Sequence, residues 1–325
     1  MLLLSRVAEA MYWLGRHVER AENTARLLDV TYHGRLEPSI SEVAGATNTW
    51  PALIATLGLE ERYKTLYGDY DEISVIEFLT VSRDNESSII SSLEAARENA
   101  RSVRDYLSSE SWVAINRLYH ATANTNIHLI LADGLYEFCD AVRVGSHLMA
   151  GTVRATSLYD EGMQWLWTGA YLERSDMITR LVDSKYHLLM HNADEIGGAI
   201  DRFQWMALLR SVSGWEAYLR LHPEGVDPAG VIEFLVLSPI FPRSLRTSID
   251  SLQRSLTEAT SGAVVRLRNH PMRLVAELQS RLQFESAESL IDTGLHEYLA
   301  NVRLVLSAIN ASVYDCFFWA GAGAA

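Results

Sequence analysis

Residues 13–33 read WLGRHVERAENTARLLDVTYH, and residues 167–187 read WTGAYLERSDMITRLVDSKYH. At an offset of 154, nine of these twenty-one positions are identical: Trp13/Trp167, Gly15/Gly169, Glu19/Glu173, Arg20/Arg174, Arg26/Arg180, Leu27/Leu181, Asp29/Asp183, Tyr32/Tyr186 and His33/His187. The match resumes where Val75-Ile76-Glu77-Phe78-Leu79 recurs as Val231-Ile232-Glu233-Phe234-Leu235. It resumes again where Gly134-Leu135 and Glu137 recur as Gly294-Leu295 and Glu297, and Val142-Arg143 as Val302-Arg303. Three collinear matches at offsets of 154, 156 and 160 mark a tandem duplication with small insertions. A period that long belongs to a duplicated domain rather than a solenoid. The expected fold is all-α: two tandem helical repeats, residues 1–150 and 151–325, related by a pseudo-twofold axis in one long-helix bundle with a continuous core.

The quoted stretches are helical by their periodicity. From about Leu4 to His33 no proline intervenes, and Leu14, Val18, Ala21, Ala25 and Leu28 recur at helical spacing, with Gly34 placed to cap the end. The Val-Ile-Glu-Phe-Leu segments have a strand-like composition. Asp227-Pro228 before the second copy, however, is an N-cap followed by proline at the first helical position, so both copies read as helices. Further helices are expected over 86–107, 111–133, 200–221, 228–237, 243–260, 262–284 and 286–318, with a kink at Pro271. Gly145 to Lys185 reads as one helix crossing the repeat boundary.

Composition narrows the function classes. The chain has 325 residues and a net charge of −13, which disfavours nucleic acid and anionic membranes as main partners. The N-terminal Met1-Leu2-Leu3-Leu4 is followed by Arg6 and Glu9, unlike a signal peptide or a transmembrane span. Cys139 and Cys316 stand alone, outside any metal or redox spacing. These features suit a cytoplasmic protein.

The chemistry-bearing feature is a charged helix face. On a helical wheel Arg16, Glu19, Arg20 and Asn23 share an arc of roughly 100°, flanked by Tyr12 and Trp13. In the second copy Glu173 and Arg174 lie among Leu166, Trp167, Met177 and Leu181, which predicts burial. Buried charges need partners, and reciprocal pairs Glu19–Arg174 and Glu173–Arg20 would supply them, with Gly15 and Gly169 allowing close helix approach. A ligand site is the other reading. Arg16, Glu19, Arg20, Asn23 and Arg26, with Glu173, Arg174, Asp176 and Arg180 in the second copy, would bind an amino-acid-like or peptide-like molecule. Arginine suits its carboxylate and glutamate its amine. Ordinary solvated charge is a third reading.

Other motifs carry less. Arg97, Arg101 and Arg104, interspersed with Glu94, Glu98 and Asp105, read as a solvated salt-bridged face. His187 and His191 are spaced to share a metal but lack acidic helpers. Neither a zinc-protease nor a di-iron motif occurs, nor does a phosphate-cradling glycine loop or a nucleophile elbow, so no metal and no cofactor is expected.

The segments LSRVAEAMYWLGRHVERAENTARLL, NESSIISSLEAARENARSVR and WTGAYLERSDMITRLVDSKYH resemble the alpha-E family, bacterial all-helical domains named for a Glu-Arg motif. Glu86 stands where that pattern has proline. The resemblance implies association with a circularly permuted ATP-grasp ligase, often with a transglutaminase-like protein, and a part in forming peptide or amide bonds. Three functional expectations stay open. One is a non-catalytic or co-catalytic partner of such a ligase. Another is a stand-alone acyl or aminoacyl transferase, with Glu19 or Glu173 as a general base of raised pKa. The third is a scaffold, as a homo-oligomer, whose Glu–Arg pairs serve packing alone.

Overall fold

The computed structural model describes residues 4–36, 49–190, 199–261 and 270–318, and all regular structure among them is helical. The first half holds α1 (Ser5–Leu36), α2 (Thr49–Leu57), α3 (Glu60–Leu66), α4 (Glu72–Thr80), α5 (Ile89–Ser102), α6 (Ser109–Ala123), α7 (Ile127–Asp133) and α8 (Leu135–Thr156). The second holds α9 (Glu161–Met190), α10 (Ala199–Ser211), α11 (Trp215–Leu221), α12 (Pro228–Ile232), α13 (Leu245–Thr260), α14 (Pro271–Phe284), α15 (Ala287–Thr293) and α16 (Leu295–Val313). Wider π-helical turns at Glu233–Leu237 and Tyr314–Phe318 extend α12 and α16. No described helix is long and apolar enough to cross a membrane.

Local chemistry sets the helix starts, and several recur between the halves. Asp71 and Asp227 accept the amide N–H of Ser74 and of Gly230, capping α4 and α12. Ser88 and Ser244 do the same for α5 and α13. Both Val-Ile-Glu-Phe-Leu segments are therefore helical, as the Asp-Pro signal indicated.

Caps also break the longer helices that periodicity alone suggests. The single helix expected from Gly145 to Lys185 is two. Ser157 leaves the helix in extended conformation, and Asp160 accepts the N–H of Met163 at 3.0 Å to start α9. Segment 111–133 divides where Asn126 caps α7, and 200–221 divides before Gly214. Segment 286–318 divides at Gly294, whose φ of +103° only glycine adopts readily. Pro271 is the first residue of α14 rather than a kink, and α1 runs through Gly34 to Leu36. The Gly321–Ala325 tail and His191 lie outside the described residues, as does the side chain of His187.

Tertiary packing groups the long helices in fours. α1 packs against α5 and α8, and α6 closes that set; α9 packs against α13 and α16, and α14 closes the other. Among the described residues the most extensive helix contact joins α1 to α9. A methyl group on Gly15 would overlap the backbone carbonyl of Leu166, and one on Gly169 that of Tyr12, so each helix rests on the other's main chain. Apolar side chains from both halves form one buried cluster, with Trp50, Tyr63, Trp165, Trp205 and Tyr218 among the largest. The apolar stripe Leu14, Val18, Ala21, Ala25 and Leu28 is buried, and so is much of the opposite, polar face of α1.

Candidate functional site

The close crossing of α1 and α9 brings their charged faces together one turn beyond the glycines. Glu19 is 4% exposed and Glu173 6%. Arg174 donates to Glu19 through Nε at 2.8 Å and Nη2 at 2.6 Å. Arg20 donates to Glu173 through Nε at 2.6 Å and Nη2 at 3.1 Å. The reciprocal pairing expected from the repeat is thus present, and both pairs have the bidentate geometry that makes Arg–carboxylate contacts strong and directional.

Each carboxylate also takes a further arginine, for Glu173 from one turn earlier on α1 and for Glu19 from the second half of the chain. Arg16 donates Nε to Glu173 at 2.7 Å, and its Nη1 reaches Oδ1 of Asn310 on α16, which also accepts the Tyr12 hydroxyl, both at 2.7 Å. Its guanidinium lies 5.1 Å from the Trp13 ring centroid, a cation–π contact. Arg243, in the loop before α13, donates Nη1 to Glu19 at 3.1 Å and to Oδ1 of Asn23 at 3.1 Å. It also pairs with Glu22. Glu22 accepts from Arg26 on the next turn at 2.8 Å, and His147 on α8 lies 3.0 Å away. Arg26 continues to the Ser213 hydroxyl.

The electrostatics follow from this enclosure. Burial works to raise the pKa of Glu173, but Arg16 and Arg20 outweigh it and hold the group at about 2. Glu22 is held below the ordinary carboxylate range, burial again being overcome by Arg243, His147 and Arg26. Burial lifts the Tyr12 hydroxyl to about 12. His17, stacked on Trp13, is lowered to about 4 by burial and by Arg20. The raised pKa expected of a catalytic glutamate is therefore not found at Glu173. It is a weak base near neutrality, and both of its oxygens are already occupied.

A second kind of ion pair ties each half internally. Asp29 on α1 meets Arg143 on α8 at 3.1 Å, and Asp183 on α9 meets Arg303 on α16 at 2.5 Å. Among the described residues no group of three or more His, Cys, Asp or Glu could hold a metal.

The family model that describes "a predicted alpha-helical domain with a conserved ER motif" matches residues 3–318. The chain belongs to the alpha-E family. Similar curated proteins are an uncharacterized protein of Mycobacterium bovis and two of Mycobacterium tuberculosis, each 28% identical over 95% of the chain. The alpha-E chain spans only 36% of the length of those relatives. No solved structure matches it.

Of the residues singled out in the alpha-E sequence, Arg16, Glu19, Arg20, Asn23, Arg26, Glu173 and Arg174 come together around the α1–α9 crossing. Asp176 and Arg180 pair with each other at 2.7 Å, with side chains about one-third exposed, and the Arg180 guanidinium lies against Gly58. Sequence reasoning missed Glu22, His147, Ser213, Arg243 and Asn310. Glu22 falls beside the charged arc and was legible there. Arg243 and Asn310 stand in segments whose local pattern says nothing about α1. The Arg97 and Arg101 face is salt-bridged through Glu98, as expected, whereas Arg104 turns to the carbonyl of Leu107.

Proposed function

We propose that this alpha-E chain is a rigid, non-catalytic helical module that works as partner to an ATP-grasp-type peptide or amide ligase. In this reading the two halves are copies of one unit related by a pseudo-twofold axis, and the Glu–Arg motif locks them together at that axis. The observation that carries it is the reciprocal pair Glu19–Arg174 and Glu173–Arg20, with both oxygens of each carboxylate committed to guanidiniums. A carboxylate so engaged is an anchor, not a base or a hook for an incoming amine. The share of the mycobacterial relatives that the chain spans supports a module role, since there the similar region is one part of a longer protein. The ligase, and a transglutaminase-like protein beside it, come from the family resemblance.

The test is co-expression with a circularly permuted ATP-grasp ligase, followed by size-exclusion chromatography with light scattering and a ligase turnover assay. Co-elution at a defined stoichiometry, with faster turnover than the ligase alone, is the expected result, and the same run reads the oligomeric state. Separate elution with unchanged turnover would sink the partner role. Turnover by the purified alpha-E chain alone would favour the transferase reading instead.

A further inference from the structure

Behind the ion pairs lies a small cleft between α1, α9, α10 and the loop before α13, walled by Asn23, Leu27, Arg174, Ile178, Ser211 and Arg243. It holds about 10 Å³, room for one atom the size of a water oxygen. Asn23 is 6% exposed, and its Oδ1 accepts from Arg243. That bond sets the orientation of the amide, because the reverse assignment would point two donors at each other. The remaining donor, Nδ2, is buried and has no hydrogen-bond partner. Nearly all buried donors in proteins are satisfied, so an orphan beside a cavity points to an acceptor that belongs there.

Charge points the same way. Arg26, Arg174 and Arg243 form their ion pairs with two carboxylates, Glu19 and Glu22. Among these three side chains, 7%, 18% and 14% exposed, one positive charge is left over in a chain whose overall charge is −13. Burial pushes the Arg243 guanidinium below the usual arginine range, and Arg174 and Arg26 add to this against the pull of Glu19. Arg174 uses Nε and Nη2 on Glu19, which turns its Nη1 hydrogens to other acceptors. A water molecule would satisfy Nδ2 but would leave the charge unmatched.

We propose that this cleft is an anion site, taking one acceptor atom between Nδ2 of Asn23 and the guanidiniums of Arg174 and Arg243. The acceptor is a halide ion or one oxygen of a carboxylate or phosphate whose remainder lies toward the cleft mouth. The site does not rest on the ligase-partner reading.

Urea unfolding of the full chain in increasing chloride, acetate or inorganic phosphate tests it, with wild type compared to Asn23→Asp, which carries the missing charge at nearly the same size. With at least one anion the wild-type folding constant should rise in proportion to 1 + [anion]/Kd, by about tenfold at ten times its Kd. Asn23→Asp should show no such rise. The anion that acts at the lowest concentration separates a halide from a carboxylate or phosphate oxygen. No rise in wild type, or an equal rise in Asn23→Asp, overturns the site. Asn23→Leu, which removes the donor without adding charge, is the second variant: loss of the rise supports the proposal, and its persistence overturns it. Chlorine NMR line broadening on wild type, displaced by acetate or phosphate, gives a readout that needs no variant.

Discussion

Glu173→Gln removes one negative charge and almost no volume. The carboxylate sits with its side chain 8% exposed and takes three hydrogen bonds from Arg16 and Arg20, with Arg16 Nη2 a further close contact at 2.7 Å. Glutamine keeps one acceptor oxygen and turns an NH2 group toward a guanidinium, so two arginines compete for one neutral acceptor. Removing one partner of a buried ion pair costs about 3–5 kcal/mol. Arg20 is 21% exposed, and water there takes up part of its loss, so the lower end, about 3 kcal/mol, is expected. Total stabilities run to about 5–15 kcal/mol, so the loss is a fifth or more of the whole. With a urea slope of about 3 kcal/mol per molar, the midpoint should fall by roughly 1 M at unchanged slope. Far-ultraviolet circular dichroism follows the transition directly in an all-helical chain. An unchanged or raised midpoint would refute the view that these pairs hold the two halves together.

Two further outcomes follow from the same geometry. Gly15→Ala and Gly169→Ala set a methyl group against a backbone carbonyl that cannot step aside, so each should lose about 1–3 kcal/mol in urea unfolding. Gly151→Ala, whose new carbon meets nothing within 4 Å, should instead gain about 0.5–1 kcal/mol. Acid should weaken the fold in two windows. His17 is lowered in the folded state, so its contribution is complete above its ordinary 6.5 and is lost as pH falls to about 4. The contribution of Glu173 is complete above 4.5 and is lost between there and about 2. A stability–pH series should show His17→Gln flattening the upper window and Glu173→Gln the lower; unchanged profiles would remove both assignments.

Much of the fold was legible because its signals are local. Asp227-Pro228 overrode a strand-like composition, since an N-cap and a proline at the first helical turn act within a few residues. The same locality explains the misses. Ser157 to Asp160 is a stop followed by a cap, and apolar periodicity running on both sides of it hid the break. Gly34 reads as a terminator, yet α1 continues through it to Leu36. Glycine in a helix costs only about 1 kcal/mol, which neighbouring packing can outweigh.

The sequence by itself determined the helical state and the recurrence of one segment 154 residues later, and it offered Arg174 and Arg20 as partners of Glu19 and Glu173 in one of three open readings. Periodicity and caps are properties of neighbours along the chain, and a repeated segment that buries its charges has its own copy as the nearest source of opposite charge. Only the tertiary structure decided that Arg16 joins Arg20 on Glu173. It alone brought Arg243 across 220 residues to Asn23 and left the buried Nδ2 of that residue without a partner beside a small cleft. Those contacts join segments whose local patterns are independent of each other. Their meeting depends on how the helices pack around α1 and α9, and no residue near Arg243 in sequence carries that information.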